Sequence, residues 1–436
     1  MGKSQELYVE AKKIIPGGTQ LLSKRPEMFL PDLWPAYYSK SRGCRVCDLD
    51  DKEYVDMSYM GIGTCILGYA DEDVNNAVKD VVDSGNMTTL NAPEEVELAK
   101  MLLELHSWAG MVRYARSGGE AMALALRVAR SHTGKDKVLF CGYHGWHDWY
   151  LSANLSKENS LDGHLLPGLS PRGVPRALAG TALTFSYNNV KEFCDIVEEN
   201  KQDIAAIVME PLRNVYPETE FVETINKVSR EIGAVLIIDE ITAGWRLNLG
   251  GAHLKLGLNP DIAVFAKGLS NGYPMAAVIG KGSVMSAAQE SFISSTYWTE
   301  KIGPAAAIAT IKKMKENNIC EHLVSVGKKV QEGWKRAADI SGISIKIGGI
   351  YPLGHFIFSC DNFLACKTLF IQLMLDRGFL TSTAFYASWA HKQEDVDNYL
   401  TAVEGVFTQM AEMIKENSVE DNLKGPVCHG GFKRLT

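Results

Sequence analysis

The sequence lacks long apolar runs, an excess of positive charge and any framework of closely spaced cysteines. Its 436 residues carry 45 Lys and Arg against 52 Asp and Glu, a formal net charge of −7. Nucleic acids and anionic membranes attract basic surfaces, so we expect neither as a partner. The first residues lack the apolar core of a secretory signal. Nine scattered cysteines suit a reducing compartment, so we expect a cytoplasmic protein.

The length of the chain exceeds what one hydrophobic core usually organises, so we expect a large and a smaller domain. Hydrophobic residues make up 46% and charged residues 22%, as in ordinary globular proteins. We find no internal repeat. We place the large domain at residues 61–305, and we expect residues 1–60 and 306–436 to form the smaller α+β domain together.

Four continuous apolar runs define the fold class of the large domain. Amphipathic helical stretches separate these runs, and strands that are apolar on both faces belong to a parallel sheet covered by helices on both sides. The sequence therefore predicts an α/β domain with a mostly parallel sheet. Ligands of such sheets bind beyond the carboxyl ends of the strands. The runs are KVLFCG (137–142), IAAIVME (204–210), AVLIIDE (234–240) and IAVFAK (262–267).

A small glycine motif precedes the helical segment that extends to about residue 134. Ser117, Gly118 and Gly119 stand where the helix begins. Free N–H groups and the helix dipole favour a phosphate at such a position. An ordinary loop that ends in an N-cap serine would show the same residues, so this motif alone does not distinguish a phosphate site from a plain helix start.

Aromatic and histidine residues follow the first apolar run. Tyr143 at the strand exit could stack on a planar ligand. His144, His147 and Asp148 raise the question of a metal, but their spacing does not match a usual ligand set, and we expect no metal site.

Two charged residues end buried strands. Asp239 could be a metal ligand, a general base, a counter-ion to a protonated ring nitrogen or half of a structural ion pair. Lys267, in partly desolvated surroundings, would be a good amine nucleophile toward carbonyls. A phosphate cradle, a stacking aromatic ring, a buried acid and such a lysine together match one ligand, pyridoxal 5′-phosphate.

The chain also resembles a known family, the class III pyridoxal-phosphate aminotransferases of fold type I. Within that family it is most similar to glutamate-1-semialdehyde 2,1-aminomutase. The resemblance extends over most of the chain, from AKKIIPGGTQ through GCRVCDLDDKEYVDM, RSGGEAMALALRVARSHTGKDKVL, YHG, IAAIVMEP, LIIDEITAGWR and NPDIAVFAKGLSNGYPMAAVIGK to FYASWAHKQEDVDNYLTAV.

The resemblance implies a role for each matching position. Lys267 would form the Schiff base with the cofactor, and Asp239 would face the pyridine nitrogen. A threonine from a second subunit would reach the phosphate, which implies a homodimer with shared active sites. The other implied cofactor contacts are Ser117, Gly118 and Gly119 at the phosphate, Tyr143 and Ile241 against the ring, Glu210 near the ring hydroxyl, and either Thr299 or Thr296 as the partner's threonine.

The implied reaction moves an amino group between two small molecules. We expect an aminotransferase that takes the amino group from an amino-acid donor and gives it to a small polar or sugar-like carbonyl acceptor. Lys24, Arg25 and His144 are candidate substrate contacts, and Arg213 is a further candidate for holding a carboxylate. The alternatives are an isomerase of the aminomutase type and a catalytically inactive protein that binds the cofactor.

Overall fold

The computed structural model describes residues 2–164 and 167–432 and divides into two compact units. One unit comprises Glu72–Cys320. The other joins the two ends of the chain, Met1–Asp71 and Glu321–Thr436. From the sequence we predict domain boundaries after residues 60 and 305, whereas the units of the structure meet after residues 71 and 320.

The secondary structure alternates between strands and helices through the middle of the chain. The strands are β1 (Tyr38–Arg42), β2 (Arg45–Asp48), β3 (Glu53–Met57), β4 (Met111–Ala115), β5 (Lys137–Cys141), β6 (Ala182–Thr184), β7 (Ile204–Met209), β8 (Val235–Asp239), β9 (Ile262–Phe265), β10 (Ala276–Gly280), β11 (Ile345–Gly348), β12 (Leu353–Phe358), β13 (Phe379–Thr381) and β14 (Ala384–Tyr386). The α-helices are α1 (Lys3–Ile14), α2 (Met60–Gly63), α3 (Glu72–Ser84), α4 (Pro93–Leu105), α5 (Gly118–Thr133), α6 (Asp148–Leu151), α7 (Ala153–Ser156), α8 (Val190–Asn200), α9 (Thr219–Ile232), α10 (His253–Leu256), α11 (Gly282–Met285), α12 (Ile302–Glu316), α13 (Ile319–Ser341), α14 (Phe363–Asp376) and α15 (Gln393–Lys415).

The unit of residues 72–320 is built on a seven-stranded sheet with the order β4-β10-β9-β8-β7-β5-β6. The pairs β8–β9, β7–β8, β5–β7 and β5–β6 are parallel, whereas β10 runs antiparallel to both β4 and β9. The expected α/β class with a mostly parallel sheet is therefore confirmed. The antiparallel strand β10 was not expected.

The central strands are apolar on both faces because helices cover both faces of the sheet. Val208 and Ile237 belong to one hydrophobic cluster, whereas their chain neighbours Ile207 and Leu236 belong to another. Successive strand residues point to opposite faces, so the two clusters lie on the two sides of the sheet. This is why the four apolar runs were readable as strands.

The pairing register brings the carboxyl ends of the central strands to one edge. Cys141 pairs with Met209, Met209 with Ile238, and Asp239 with Val264. Residues that directly follow these strands therefore share that edge, among them Glu210 after β7 and Lys267 after β9.

Helix α12 illustrates why the larger unit extends past residue 305. Lys313 forms an ion pair of 2.7 Å with Asp73, and Lys312 forms one of 2.9 Å with Glu97. Both contacts hold α12 to earlier elements of the same unit.

The second unit contains a sheet of order β1-β2-β3-β13 and a three-stranded sheet of order β11-β12-β14. Its core includes an aromatic group in which Phe356 packs edge-on against Phe370 and Phe407. Across the described ranges, no helix combines the length and apolar character that crossing a membrane would require.

Candidate active site at the carboxyl edge of the sheet

Lys267 lies two residues beyond the end of β9, where the backbone turns sharply. Its φ angle is 45°, a left-handed conformation that is uncommon for a residue with a side chain. The side-chain Nζ donates a hydrogen bond of 2.8 Å to Oγ1 of Thr242. Burial, assisted by the positive charge of Arg213, lowers the pKa of the Lys267 amine to about 8. About a tenth of this amine is therefore uncharged at pH 7, far more than in an ordinary lysine, and the uncharged form is nucleophilic.

A short network connects the lysine to the loop after β7. Oγ1 of Thr242 also accepts a hydrogen bond of 3.3 Å from Nη2 of Arg213. The same Nη2 lies 2.8 Å from Oε1 of Glu210. Sequence reasoning missed Thr242, because a threonine in the loop after a strand carries no signal until folding brings the lysine to it.

Asp239 is held at the end of β8 by two donors. Its Oδ2 lies 2.7 Å from Nδ1 of His144, and its Oδ1 accepts a hydrogen bond of 3.0 Å from the backbone N–H of Ile241. The carboxyl group is almost completely buried. Such a group is oriented and ready to face a cation, which agrees with the proposed role as the partner of a ring nitrogen.

His144 lies behind Asp239. Its side chain has no exposed surface, and its Nε2 lies 3.0 Å from the carbonyl oxygen of Cys141. Both contacts are hydrogen bonds only when both ring nitrogens carry a hydrogen, since both neighbours are acceptors. The sequence offered His144 as a substrate contact, but its burial favours a positioning role through Asp239.

Helix α5 begins where the glycine motif predicted. Ser117 is the N-cap, and Glu120 completes a capping box in which its Oε2 accepts hydrogen bonds from the backbone N–H and the hydroxyl of Ser117. Gly134 ends the helix in a left-handed conformation. The Ser117 hydroxyl thus serves the helix start, and the N–H groups of the first turn remain the natural donors for an anion.

Close packing favours glycine at both positions of this helix start. A Cβ atom on Gly118 would lie 2.9 Å from Cδ1 of Ile241, and one on Gly119 would lie 2.8 Å from Nδ1 of His147. Real Cβ contacts are essentially never that short, so a larger residue would force a neighbour to move. The Ile241 side chain therefore lies beside the start of α5, on the same edge as Asp239.

Tyr143 is half-buried beside these groups. Its ring lies edge-on to Tyr150 with the centroids 5.7 Å apart, and its backbone N–H donates a hydrogen bond of 3.2 Å to Oε2 of Glu210. Glu210 therefore touches both Arg213 and the backbone that carries the aromatic ring.

The two threonine candidates lie in a short 3₁₀ helix, Thr296–Thr299, and both side chains are exposed. Oγ1 of Thr299 donates to the carbonyl oxygen of Thr296 at 3.0 Å. Arg116 anchors the end of this segment through an ion pair of 2.7 Å with Glu300.

The candidate substrate contacts Lys24 and Arg25 belong to the other unit. Lys24 ends the 3₁₀ helix Leu22–Lys24, and the Arg25 guanidinium lies 5.6 Å from the centre of the Phe432 ring. Residues 2–164 and 167–432 contain no group of three or more His, Cys, Asp or Glu side chains arranged to hold a metal ion.

These groups fit a phosphorylated pyridine aldehyde. The Lys267 amine suits the aldehyde, the buried Asp239 suits a protonated ring nitrogen, and the glycine-lined start of α5 suits the phosphate. Nδ1 of His147, next to Gly119, is buried without a hydrogen-bond partner among the described residues, so a polar group bound at the helix start would meet a polar neighbour.

Comparison with known proteins also indicates a site for this cofactor. Residues 31–402 match the family model described as Aminotransferase class-III. The chain is 29% identical over 427 residues to 3-aminobutyryl-CoA aminotransferase of Cloacimonas acidaminovorans, with coverage of 95% of this chain and 99% of the relative. It is 31% identical over 434 residues to glutamate-1-semialdehyde 2,1-aminomutase of Sulfurihydrogenibium sp., with coverage of 94% and 99%.

Two solved structures show the same fold. The PLP internal aldimine form of the FumI protein of Sphingopyxis sp. MTA144 has a TM-score of 0.86 at 24% identity, over 95% of this chain and 98% of that one. A glutamate-1-semialdehyde-aminomutase of Pseudomonas aeruginosa PAO1 has a TM-score of 0.80 at 20% identity, over 94% of each chain.

Proposed function

Because the chain belongs to the class-III aminotransferases and its cofactor is pyridoxal 5′-phosphate, we propose that Lys267 forms the Schiff base in a transamination. The amino group comes from an amino-acid donor and goes to a small polar or sugar-like carbonyl acceptor. The observation that carries the proposal is the Lys267 amine, with its pKa lowered to about 8, on the same sheet edge as Asp239 and the start of α5.

The cofactor, when bound, withdraws electrons from the substrate carbon that carries the amino nitrogen. The protein supplies the proton chemistry. Nζ of Lys267, once displaced by the donor, would take the proton from that carbon as an uncharged amine and deliver it to the aldehyde carbon of the cofactor. In the second half of the reaction it would move a proton in the opposite direction. Nζ donates a hydrogen bond of 2.8 Å to Oγ1 of Thr242, which restricts the positions that the amine can adopt.

Asp239 and its neighbours stabilise the positive ring nitrogen. The hydrogen bonds from His144 and the Ile241 N–H fix the carboxylate in one orientation. A buried carboxylate in a fixed position favours the protonated ring, on which electron withdrawal depends. Ile241 would pack against the ring, and Tyr143 would stack on it.

The test of the Lys267 assignment is chemical. Borohydride reduction of the cofactor-loaded protein, followed by peptide mass mapping, should place the cofactor on the peptide that contains Lys267. A fully loaded protein in which this lysine is unmodified would refute the assignment.

A second candidate is an isomerase of the aminomutase type, favoured by the 31% identity to the Sulfurihydrogenibium relative. An aminomutase returns the amino group to a neighbouring carbon of the same molecule. Purified protein should therefore be given glutamate-1-semialdehyde with no amino donor. Net isomerisation would favour the aminomutase and refute our first proposal, whereas turnover that depends on a separate donor and acceptor would support it.

The third candidate, an inactive protein that binds the cofactor, receives no support from the site, where Lys267, Asp239 and the glycine pair are all in place.

We further propose a homodimer in which Thr299 or Thr296 of one subunit reaches the phosphate bound by the other, since both side chains are exposed. We continue to expect that the protein is located in the cytoplasm.

A further inference from the structure

Arg213 lies unusually close to the reacting amine. Its Nη2 donates to Oγ1 of Thr242 at 3.3 Å, and Nζ of Lys267 donates to that same oxygen at 2.8 Å. The guanidinium and the amine are thus separated by a single bridging oxygen. A substrate whose nitrogen replaces the lysine nitrogen would have its first two or three carbons within reach of this cation.

The structure distinguishes Arg213 from Arg246, the other arginine whose charge acts on Lys267. Arg246 also influences Lys267 electrostatically, but it is 1% exposed, and its Nε is committed to the carbonyl oxygen of Thr242 at 2.7 Å. The side chain of Arg213 is 20% exposed. A substrate could therefore contact Arg213 without unpacking the core, whereas Arg246 is closed to it.

Glu210 shows that this guanidinium binds a carboxylate in its present position. The distance of 2.8 Å between Nη2 and Oε1 is that of a charge-assisted hydrogen bond. Glu210 is itself held by the backbone N–H of Tyr143. Arg213 is therefore fixed in place, and a fixed guanidinium recognises a planar carboxylate with little loss of side-chain entropy.

We propose that Arg213 binds the carboxylate of the amino donor and so selects donors whose carboxylate lies one or two carbons from the amino nitrogen. This inference depends on the proposed transamination, and it deepens it by naming the group that the donor must carry.

The test compares two donors that differ in this one group. L-alanine and isopropylamine share the carbon that bears the amine, and a methyl group of isopropylamine replaces the carboxylate of L-alanine. The rate at which each donor converts the bound cofactor is followed by absorbance, at constant ionic strength, in the cofactor-loaded wild type and in R213Q and R213K. The ratio of the two kcat/KM values removes any general effect of the substitution on Lys267.

We expect R213Q to lower the ratio of L-alanine to isopropylamine about 10- to 100-fold, the usual effect of losing hydrogen bonds to a charged group. R213K should retain part of the ratio because it keeps the charge but not the planar group. The matched control R336Q removes an arginine that is 62% exposed in the other unit, and it should change the ratio by less than about twofold.

The variants K24Q and R25Q test the rival candidates from the sequence. A loss of the ratio in either one, with R213Q unchanged, would overturn the proposal, as would an unchanged ratio in all variants. Propionate binding, measured as a perturbation of the cofactor absorbance, gives a second readout. If the wild type converts neither donor, the transamination of these donors fails, but weaker propionate binding in R213Q than in R336Q would still support the carboxylate site. Equal binding in both would overturn it.

Discussion

At the scale of single residues, Lys267 combines two features that are unfavourable for stability. Its left-handed φ of 45° costs roughly 1–2 kcal/mol for a residue with a Cβ atom. Its amine is also partly desolvated, and burial is the largest cause of the lowered pKa. Trp245 also has a positive φ, of 68°, and burial also lowers the pKa of Lys367, but Lys267 combines both features, and we infer that this position trades stability for reactivity.

The lowered pKa predicts how the cofactor-free protein captures pyridoxal 5′-phosphate. The uncharged amine is the reactive form, so the capture rate should rise as the pH increases through about 8 and level off above it. Stopped-flow absorbance between pH 6 and 10 would measure the midpoint. R213Q should move the midpoint upward, because the positive charge of Arg213 lowers the pKa of the amine. A wild-type midpoint near that of an ordinary lysine would contradict this view.

His144 gives a second prediction at the residue scale. H144A removes the hydrogen bond of 2.7 Å to Asp239 and leaves the carboxylate less well oriented. We expect kcat to fall about 10- to 100-fold, in line with the loss of a hydrogen bond to a charged group. A merely structural role would change stability alone. The absorbance maximum of the bound cofactor should therefore shift in H144A, and H144N, whose side-chain amide nitrogen occupies nearly the position of Nδ1, should recover part of the effect.

At the scale of elements, the start of α5 shows how tightly the phosphate cradle is built. G118A places a methyl group 2.9 Å from Cδ1 of Ile241. Overpacking of this kind costs roughly 1–3 kcal/mol, so the variant should bind the cofactor about 5- to 150-fold more weakly. I241V removes Cδ1, and the double variant G118A/I241V should regain most of the lost affinity. Equilibrium dialysis would measure it, and an additive loss in the double variant would show that the two residues do not meet.

The elements themselves were largely readable from the sequence. Strands β5, β7, β8 and β9 coincide with the four apolar runs, and α5 begins at Gly118 and ends before Gly134 as the motif predicted. The antiparallel strand β10 was not predicted, because its apolar residues look the same whichever way a buried strand runs.

The site was readable only in part. Lys267 and Asp239 stand out because charged residues at the ends of buried runs are rare. Thr242 and the contact between His144 and Asp239 join residues that are distant in the chain, and no local pattern reports such a meeting. In the sequence, Arg213 is one candidate cation among several, and its contacts with Thr242 and Glu210 distinguish it from Lys24 and Arg25 only in the folded chain.

At the scale of the whole molecule, the proposed homodimer makes a testable claim about shared active sites. K267A and the double variant T296A/T299A each remove one part of every site in their own dimers, the first the lysine and the second the partner's threonine. When the two are unfolded together and refolded, half of the dimers are mixed, and each mixed dimer contains one complete site. The mixture should then regain about a quarter of wild-type activity at limiting cofactor. No gain over the separate variants would exclude sharing through these threonines.

The order of strands in the sheet also constrains how the enzyme is made. The phosphate cradle follows β4, the lysine follows β9, and β10, which lies between these two strands, comes after both in the chain. When the ribosome has just synthesised Lys267, β10 is still missing. The strands that precede the phosphate cradle and the lysine, β4 and β9, are then not yet joined through it. A chain that ends before Ala276 lacks this strand, so we expect it not to retain the vitamin, and we expect the full protein to acquire its coenzyme only after β10 has been inserted.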